Sequence, residues 1–129
     1  MSAREEIRVP SRPVLSHAAD AVRAGDHVFV AGILPVDATG ALVGAGDVVA
    51  QAERVFADLG EILHAAGCTY GDVAKVTVYL TDVGDRAAIN PVRRQMFGDT
   101  RPASTLVEVS ALVVPGAKIE VEAVAIMRS

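Results

Sequence analysis

From Asp47 to Ala66 the apolar residues Val48, Ala52, Val55, Leu59, Ile62 and Ala66 recur at alternating four- and three-residue steps. That spacing lays one apolar stripe along a helix. The Asp47 side chain can cap its start, and Gly67 supplies its stop. Only one further helix is expected, from about Arg86 to Phe97, with Pro91 within its first turns. The other regular segments read as strands. Two amphipathic helices can cover only one face of a sheet. The opposite face must therefore meet either solvent or another copy of the chain.

The strand segments are distinct. Ala21 to Arg23 and His27 to Gly32 read as a hairpin turned at Gly25-Asp26. Ala74 to Leu80 alternates, with Val76, Val78 and Leu80 on one face and Lys75, Thr77 and Tyr79 on the other. Arg101 to Val109 and Lys118 to Ala125 read as two final strands. Ile7 to Leu15 is broken by Pro10 and Pro13 and is at most a short edge strand. Gly32 to Gly46 is loop, with a short strand at Ala41-Leu42-Val43. The order β-β-α-β-α-β-β predicts a single α+β domain over residues 1–129, a mixed sheet with two helices packed on one face.

Composition sharpens the expectation of self-association. Hydrophobic residues make up 51% of the 129, but aromatics only 4%, and Trp is absent. The core must be built from Val, Ala, Leu and Ile. Mean hydropathy is +0.37, high for a chain of this size, as expected if an apolar face is buried between copies. Net charge is -4. Arg93, Arg94 and Arg101 form the only local basic cluster and sit among acids such as Asp85 and Asp99, so no specific nucleic-acid partner is expected. A single cysteine, Cys68, cannot form an intramolecular disulfide and suits a cytoplasmic location. The charged start of the chain does not resemble a signal peptide, and no apolar run is long enough for a membrane span.

The residues that could carry chemistry are few. On the last strand a period of two puts Glu120 and Glu122 on one face with Val124 and Ile126. On the strand before it, Ser104, Leu106, Glu108 and Ser110 share a face. If the two strands are neighbours, Glu108 lies near one of the C-terminal glutamates. A carboxylate desolvated beside apolar residues has a raised pKa and can exchange protons near neutrality. The same spacing also fits two glutamates on an edge strand facing water. Asn90 falls early in the second helix, either as a local cap or as a ligand contact. Ser104 and Thr105 can donate hydroxyls, or simply be half-exposed sheet residues. His17, His27 and His64 lie in three different elements with no ligand spacing, so no metal is expected. No nucleophile elbow or phosphate loop is present.

Four segments carry a resemblance to the RidA/YjgF family of small trimeric imine and enamine deaminases, over nearly the whole chain. Val22 to Asp26 followed by Val28 to Gly32 is similar to the family's hairpin, and Ala31-Gly32-Ile33-Leu34-Pro35 to the loop after it. Ala65 to Val83 matches its helix end and following strand. Ile89-Asn90-Pro91-Val92 with Met96-Phe97 matches its second helix. Arg101-Pro102-Ala103-Ser104-Thr105 through Glu120-Val121-Glu122 covers its C-terminal signature.

The resemblance implies a chorismate-mutase-like, YjgF-like fold and a homotrimer whose sheets form a central barrel, with active sites in the inter-subunit clefts. It implies no cofactor. The reaction implied is hydrolysis of a reactive enamine or imine to a carbonyl compound and ammonia. Glu120 would orient or activate the water, and the backbone near Gly32 and Ile33 would hold substrate. In this reading Asn90, Ser104 and Thr105 would contact substrate, and His17 would supply a proton. Four positions depart from the family pattern. Ser104 stands where members acting on 2-imino acids have the arginine that binds the substrate carboxylate. Leu15-Ser16-His17 lacks an expected aromatic, Arg93 replaces a tyrosine, and Ile33 a glutamine. A neutral hydroxyl cannot replace a charged fork, so weak activity on 2-iminopropanoate is expected. The changes leave open two other uses of the scaffold: a non-catalytic ligand-binding or chaperone-like trimer, and a lyase or tautomerase.

Overall fold

The computed structural model describes residues 4–128. They form one six-stranded sheet with two helices on one of its faces. The strands are β1 (Arg4–Ile7), β2 (Ala21–Ala24), β3 (His27–Ile33), β4 (Val73–Leu80), β5 (Ala103–Glu108) and β6 (Ile119–Ile126). The helices are α1 (Val48–Ala65) and α2 (Arg86–Phe97). Strand order is β1-β2-β3-β6-β4-β5. Only β4 and β5 run parallel, joined by the crossover through α2, and every other pair is antiparallel.

Both helices follow from local sequence. The Asp47 side chain accepts from the Ala50 N–H at 3.1 Å, satisfying one of the orphan donors of the first turn. At the other end Gly67 adopts φ +82°. Its N–H reaches the His64 carbonyl at 3.0 Å, and the Cys68 N–H reaches Leu63 at 2.8 Å. That paired closure needs a left-handed residue, which glycine supplies without a steric penalty.

Period-two alternation divides the sheet cleanly. Val28, Val30, Val76, Val78, Leu80, Ile119, Val121, Ala123 and Ala125 are buried beneath the helices. They pack against Val55, Phe56, Leu59 and Ile62 of α1 and Ile89, Val92 and Phe97 of α2. The partners of these strand residues in the alternation, among them Phe29, Tyr79, Thr77, Glu120, Glu122 and Val124, face away from the helices, and no element of the described chain covers them. No described helix is long and apolar enough to cross a membrane.

Two buried polar groups fix the ends of the sheet. Gln51 on α1 is fully buried. Its amide donates to the Gly44 and Gly116 carbonyls at 3.0 and 3.2 Å, and its Oε1 accepts from the Lys118 N–H at 2.7 Å. It thereby ties both long loops to the point where β6 begins. Asp58 accepts from Arg12 at 2.7 Å and from Arg54 at 3.1 Å. Arg12 also reaches Asp20 at 3.3 Å. This network clamps the 8–20 segment onto α1.

Three expectations need revision. The first strand lies at Arg4–Ile7, not Ile7 to Leu15, because the prolines remove donors and Arg12 draws the chain off to α1. Ala41-Leu42-Val43 makes only an isolated bridge, Val36 to Leu42. And β5 is not adjacent to β6, because β4 lies between them. Glu108 therefore sits on the helix side of an edge strand, accepting from the Val83 N–H at 2.9 Å, and does not approach either C-terminal glutamate.

Candidate functional site

The two glutamates of β6 are treated differently by their surroundings. Glu122 accepts a hydrogen bond from the Tyr79 hydroxyl of the neighbouring β4. Glu120 is paired in register with Tyr79, yet it receives no such donor. It leans instead toward β3, where the antiparallel ladder slips between Val30 and Ile33. This bulge sets the backbone of Ala31 and Gly32 beside Glu120. A methyl group on residue 32 would overlap Glu120 Oε2, so glycine is what lets the carboxylate lie against the backbone. Burial in this notch pushes the Glu120 carboxyl pKa up, and the nearby Glu122 adds to the rise. The Tyr79 phenol is also pushed up, first by its hydrogen bond to Glu122.

A half-buried carboxylate with a raised pKa and, among the described residues, no donor of its own is suited to exchanging a proton with a bound water. A cleft of about 440 Å³ is lined by His17, Val22, Phe29 and Ala31, and neither Glu120 nor Gly32 lines it. His17 is exposed at its rim. Ile33, in contrast, is buried in the core beneath α1. Only its backbone can take part at the notch.

The remaining candidates lie elsewhere on the chain. Ser104 on β5 faces the helices, and its hydroxyl accepts from Arg93 Nη2 of α2. Asn90 and Arg93 share one side of α2, being three residues apart, and both line a second cleft of about 390 Å³ with Arg94, Thr100 and Arg101. Burial lowers the Arg93 pKa, and Arg86 one helical heptad away lowers it further. Thr105 points to the open face, where Lys75 donates to its hydroxyl.

Register shows how far apart these groups are. Glu120 pairs with Tyr79, and Tyr79 pairs with Val107 of β5. Two strand spacings separate β6 from β5, about 10 Å, and Ser104 faces the opposite side of the sheet from Glu120. Within one chain the structure brings together Glu120 and Gly32, while His17 lines a separate cleft. It separately brings together Ser104, Asn90 and Arg93. Thr105 belongs to neither group.

Sequence reasoning passed over Tyr79 and Lys75 as partners. Their signal was parity, since they share a face of β4 with Thr77, but which carboxylate Tyr79 would meet depended on the β4–β6 register. The Arg93–Ser104 meeting was equally invisible in either local pattern.

Comparison with known proteins places these features in context. The family model described as Endoribonuclease L-PSP matches residues 10–127. A RutC family protein of Pyrococcus abyssi is 42% identical over 105 residues, covering 81% of this chain and 82% of that protein. The 2-iminobutanoate/2-iminopropanoate deaminase of Capra hircus is 41% identical over 100 residues, 77% of this chain and 72% of the relative. The crystal structure of RidA from an Antarctic Psychrobacter superposes with a TM-score of 0.88 at 34% identity, covering 95% of this chain and 99% of that one.

Proposed function

Because the chain belongs to the YjgF/RidA family, we propose that it hydrolyses a reactive enamine or imine to a carbonyl compound and ammonia, with Glu120 as the water-activating base. The observation that carries this reading is the Glu120 carboxylate, lodged against Gly32 with its pKa raised by burial. The chemistry balances with one carboxylate. Glu120 takes a proton from water as the water oxygen bonds to the C=N carbon of the protonated imine. The carboxylic acid then returns that proton to the amine nitrogen. The C–N bond breaks, ammonia leaves, and loss of the remaining hydroxyl proton yields the carbonyl compound. An enamine enters the same route after protonation at carbon.

The working unit in this reading is a homotrimer. Phe29, Ile126 and Val107 lie on the sheet face that the helices do not cover, at 47%, 40% and 39% exposure. Burying such a face between copies removes apolar surface from water. It would also let the β5 edge of one subunit, with Ser104 and Asn90, approach the Glu120 notch of the next, which a single chain cannot do. Because Ser104 presents no charge, 2-iminopropanoate is not the preferred substrate.

The test is ammonia release from imines generated in situ by an amino-acid oxidase, with mass measured by light scattering. Glu120→Gln should abolish acceleration while the trimer mass persists. An unchanged rate removes Glu120 from the chemistry, and a monomeric mass removes the inter-subunit site.

A further inference from the structure

The cleft between α2 and the start of β5 gathers three arginines. Arg93, Arg94 and Arg101 all line it, and among the described residues none of them lies within ion-pair distance of a carboxylate; Arg8, Arg23 and Arg86 are likewise unpaired, but they are spread over other parts of the chain. Asp85 and Asp99, which sit near these arginines in the sequence, take no part in an ion pair with them. Among the described residues the single polar partner of Arg93 is the neutral Ser104 hydroxyl. One guanidinium carries five N–H donors in a fixed fork, so most of that fork is uncommitted. The charge is also held where it is costly: Arg93 is half-buried and has Arg86 as an electrostatic neighbour. A desolvated, like-charged arginine with free donors gains most from an incoming planar anion.

We propose that Arg93, braced by Ser104, is the specificity-determining anion contact of this protein, and that the α2–β5 cleft receives a carboxylate remote from the imine carbon. The inference rests on the deaminase reading above for its substrate class, but the anion site itself does not. The guanidinium arrives from the helix side of β5, not from β5 itself. A bound carboxylate is therefore set back into the cleft, away from the open sheet face on which Glu120 lies. The cleft's volume of about 390 Å³ exceeds what one carboxyl group fills. Both facts favour an acid whose carboxylate is separated from the C=N group by several bonds over a short 2-imino acid.

Two measurements test this. In the first, imines made in situ from glutamate and from alanine are compared by ammonia release. Wild type should favour 2-iminoglutarate over 2-iminopropanoate by about tenfold or more in kcat/KM, the worth of one charge-assisted contact. Arg93→Met, which keeps the apolar stem, should erase that preference, with the loss falling on KM for 2-iminoglutarate, and Arg93→Lys should recover part of it. Equal rates in wild type, or a preference that survives Arg93→Met, would overturn the proposal. In the second, glutarate binding is followed by calorimetry. Wild type and Glu120→Gln should bind alike, and Arg93→Met about tenfold more weakly; unaltered binding by a folded Arg93→Met overturns the site. Binding lost in Arg93→Met, in a protein that accelerates no imine, upholds the anion site and sinks the deaminase reading alone. Saturable binding of a short oligoribonucleotide with none of glutarate overturns the carboxylate assignment.

Discussion

The Tyr79 hydroxyl donates to Glu122 across the open face of the sheet, while Glu120, the residue paired with Tyr79 in register, is left without it. Two glutamates two residues apart on one strand thus acquire different tasks. Glu122 is occupied by the Tyr79 hydroxyl. Glu120 is held in a notch that favours its neutral form. The carboxyl held in the desolvating notch is the one poised for proton transfer.

The pH dependence follows from the raised Glu120 pKa. As a base it must be ionised, so kcat/KM should rise with pH along an acid limb displaced above the ordinary carboxyl range. Stability should move the other way. A folded pKa above the unfolded one means that the folded state holds more proton, so stability is fully present below the unfolded value and falls as pH rises through the folded one. Glu120→Gln should therefore stabilise the protein at neutral pH and much less in acid. Urea melts of both proteins at pH 4 and pH 8 check the sign; an equal difference at both would show that burial does not perturb this carboxyl.

Tyr79→Phe removes the donor from Glu122 without changing volume much. The unfolding free energy should drop by about 1 kcal/mol, the usual net worth of such a bond. Glu122 loses a group that masks its charge, so the acid limb of kcat/KM should shift further upward. A pH–rate profile with an unmoved limb would separate the two glutamates electrostatically.

Gly32→Ala is a steric probe of the notch. Gly32 is not in the left-handed region, so the backbone should accept alanine. The added methyl would displace Glu120 Oε2. A catalytic group moved by about 1 Å can cost about a hundredfold in rate. The expected result is a near-native melting curve with turnover down by that order. Full activity would mean that the carboxylate works from another position.

Gln51→Leu tests the polar anchor of β6. It would orphan the Gly44 and Gly116 carbonyls and the Lys118 N–H in a buried setting. Unsatisfied buried groups cost about 1–3 kcal/mol each, so a loss of about 3 kcal/mol in urea unfolding is expected. Activity should fall as well, because Lys118 immediately precedes the strand that carries Glu120.

Much of this molecule is written locally. The Asp47 cap, the stripe from Val48 to Ala66 and the Gly67 stop yield α1 as expected, and the second helix runs from Arg86 to Phe97 as its pattern predicts. Alternation along β4 put Val76 and Tyr79 on opposite faces, and along β6 it put Glu120 and Glu122 on one face, as the structure has them. The Arg101–Glu122 signature led to the right family. Glu108 shows where local reading ends: its face was legible, but its neighbour was not.

Face is set by the covalent geometry of the strand itself, so a single stretch of sequence determined which side of the sheet each glutamate occupies and that two helices would leave one side bare. Neighbours are set by which strands pair and in what register, a choice made by burial across the whole chain. Only the tertiary structure placed β6 between β3 and β4, slid the ladder at Gly32 to open a notch for Glu120, gave Tyr79 to Glu122, and brought Arg93 onto Ser104. Each of those meetings joins residues at least eleven positions apart, and no periodicity records a contact between elements.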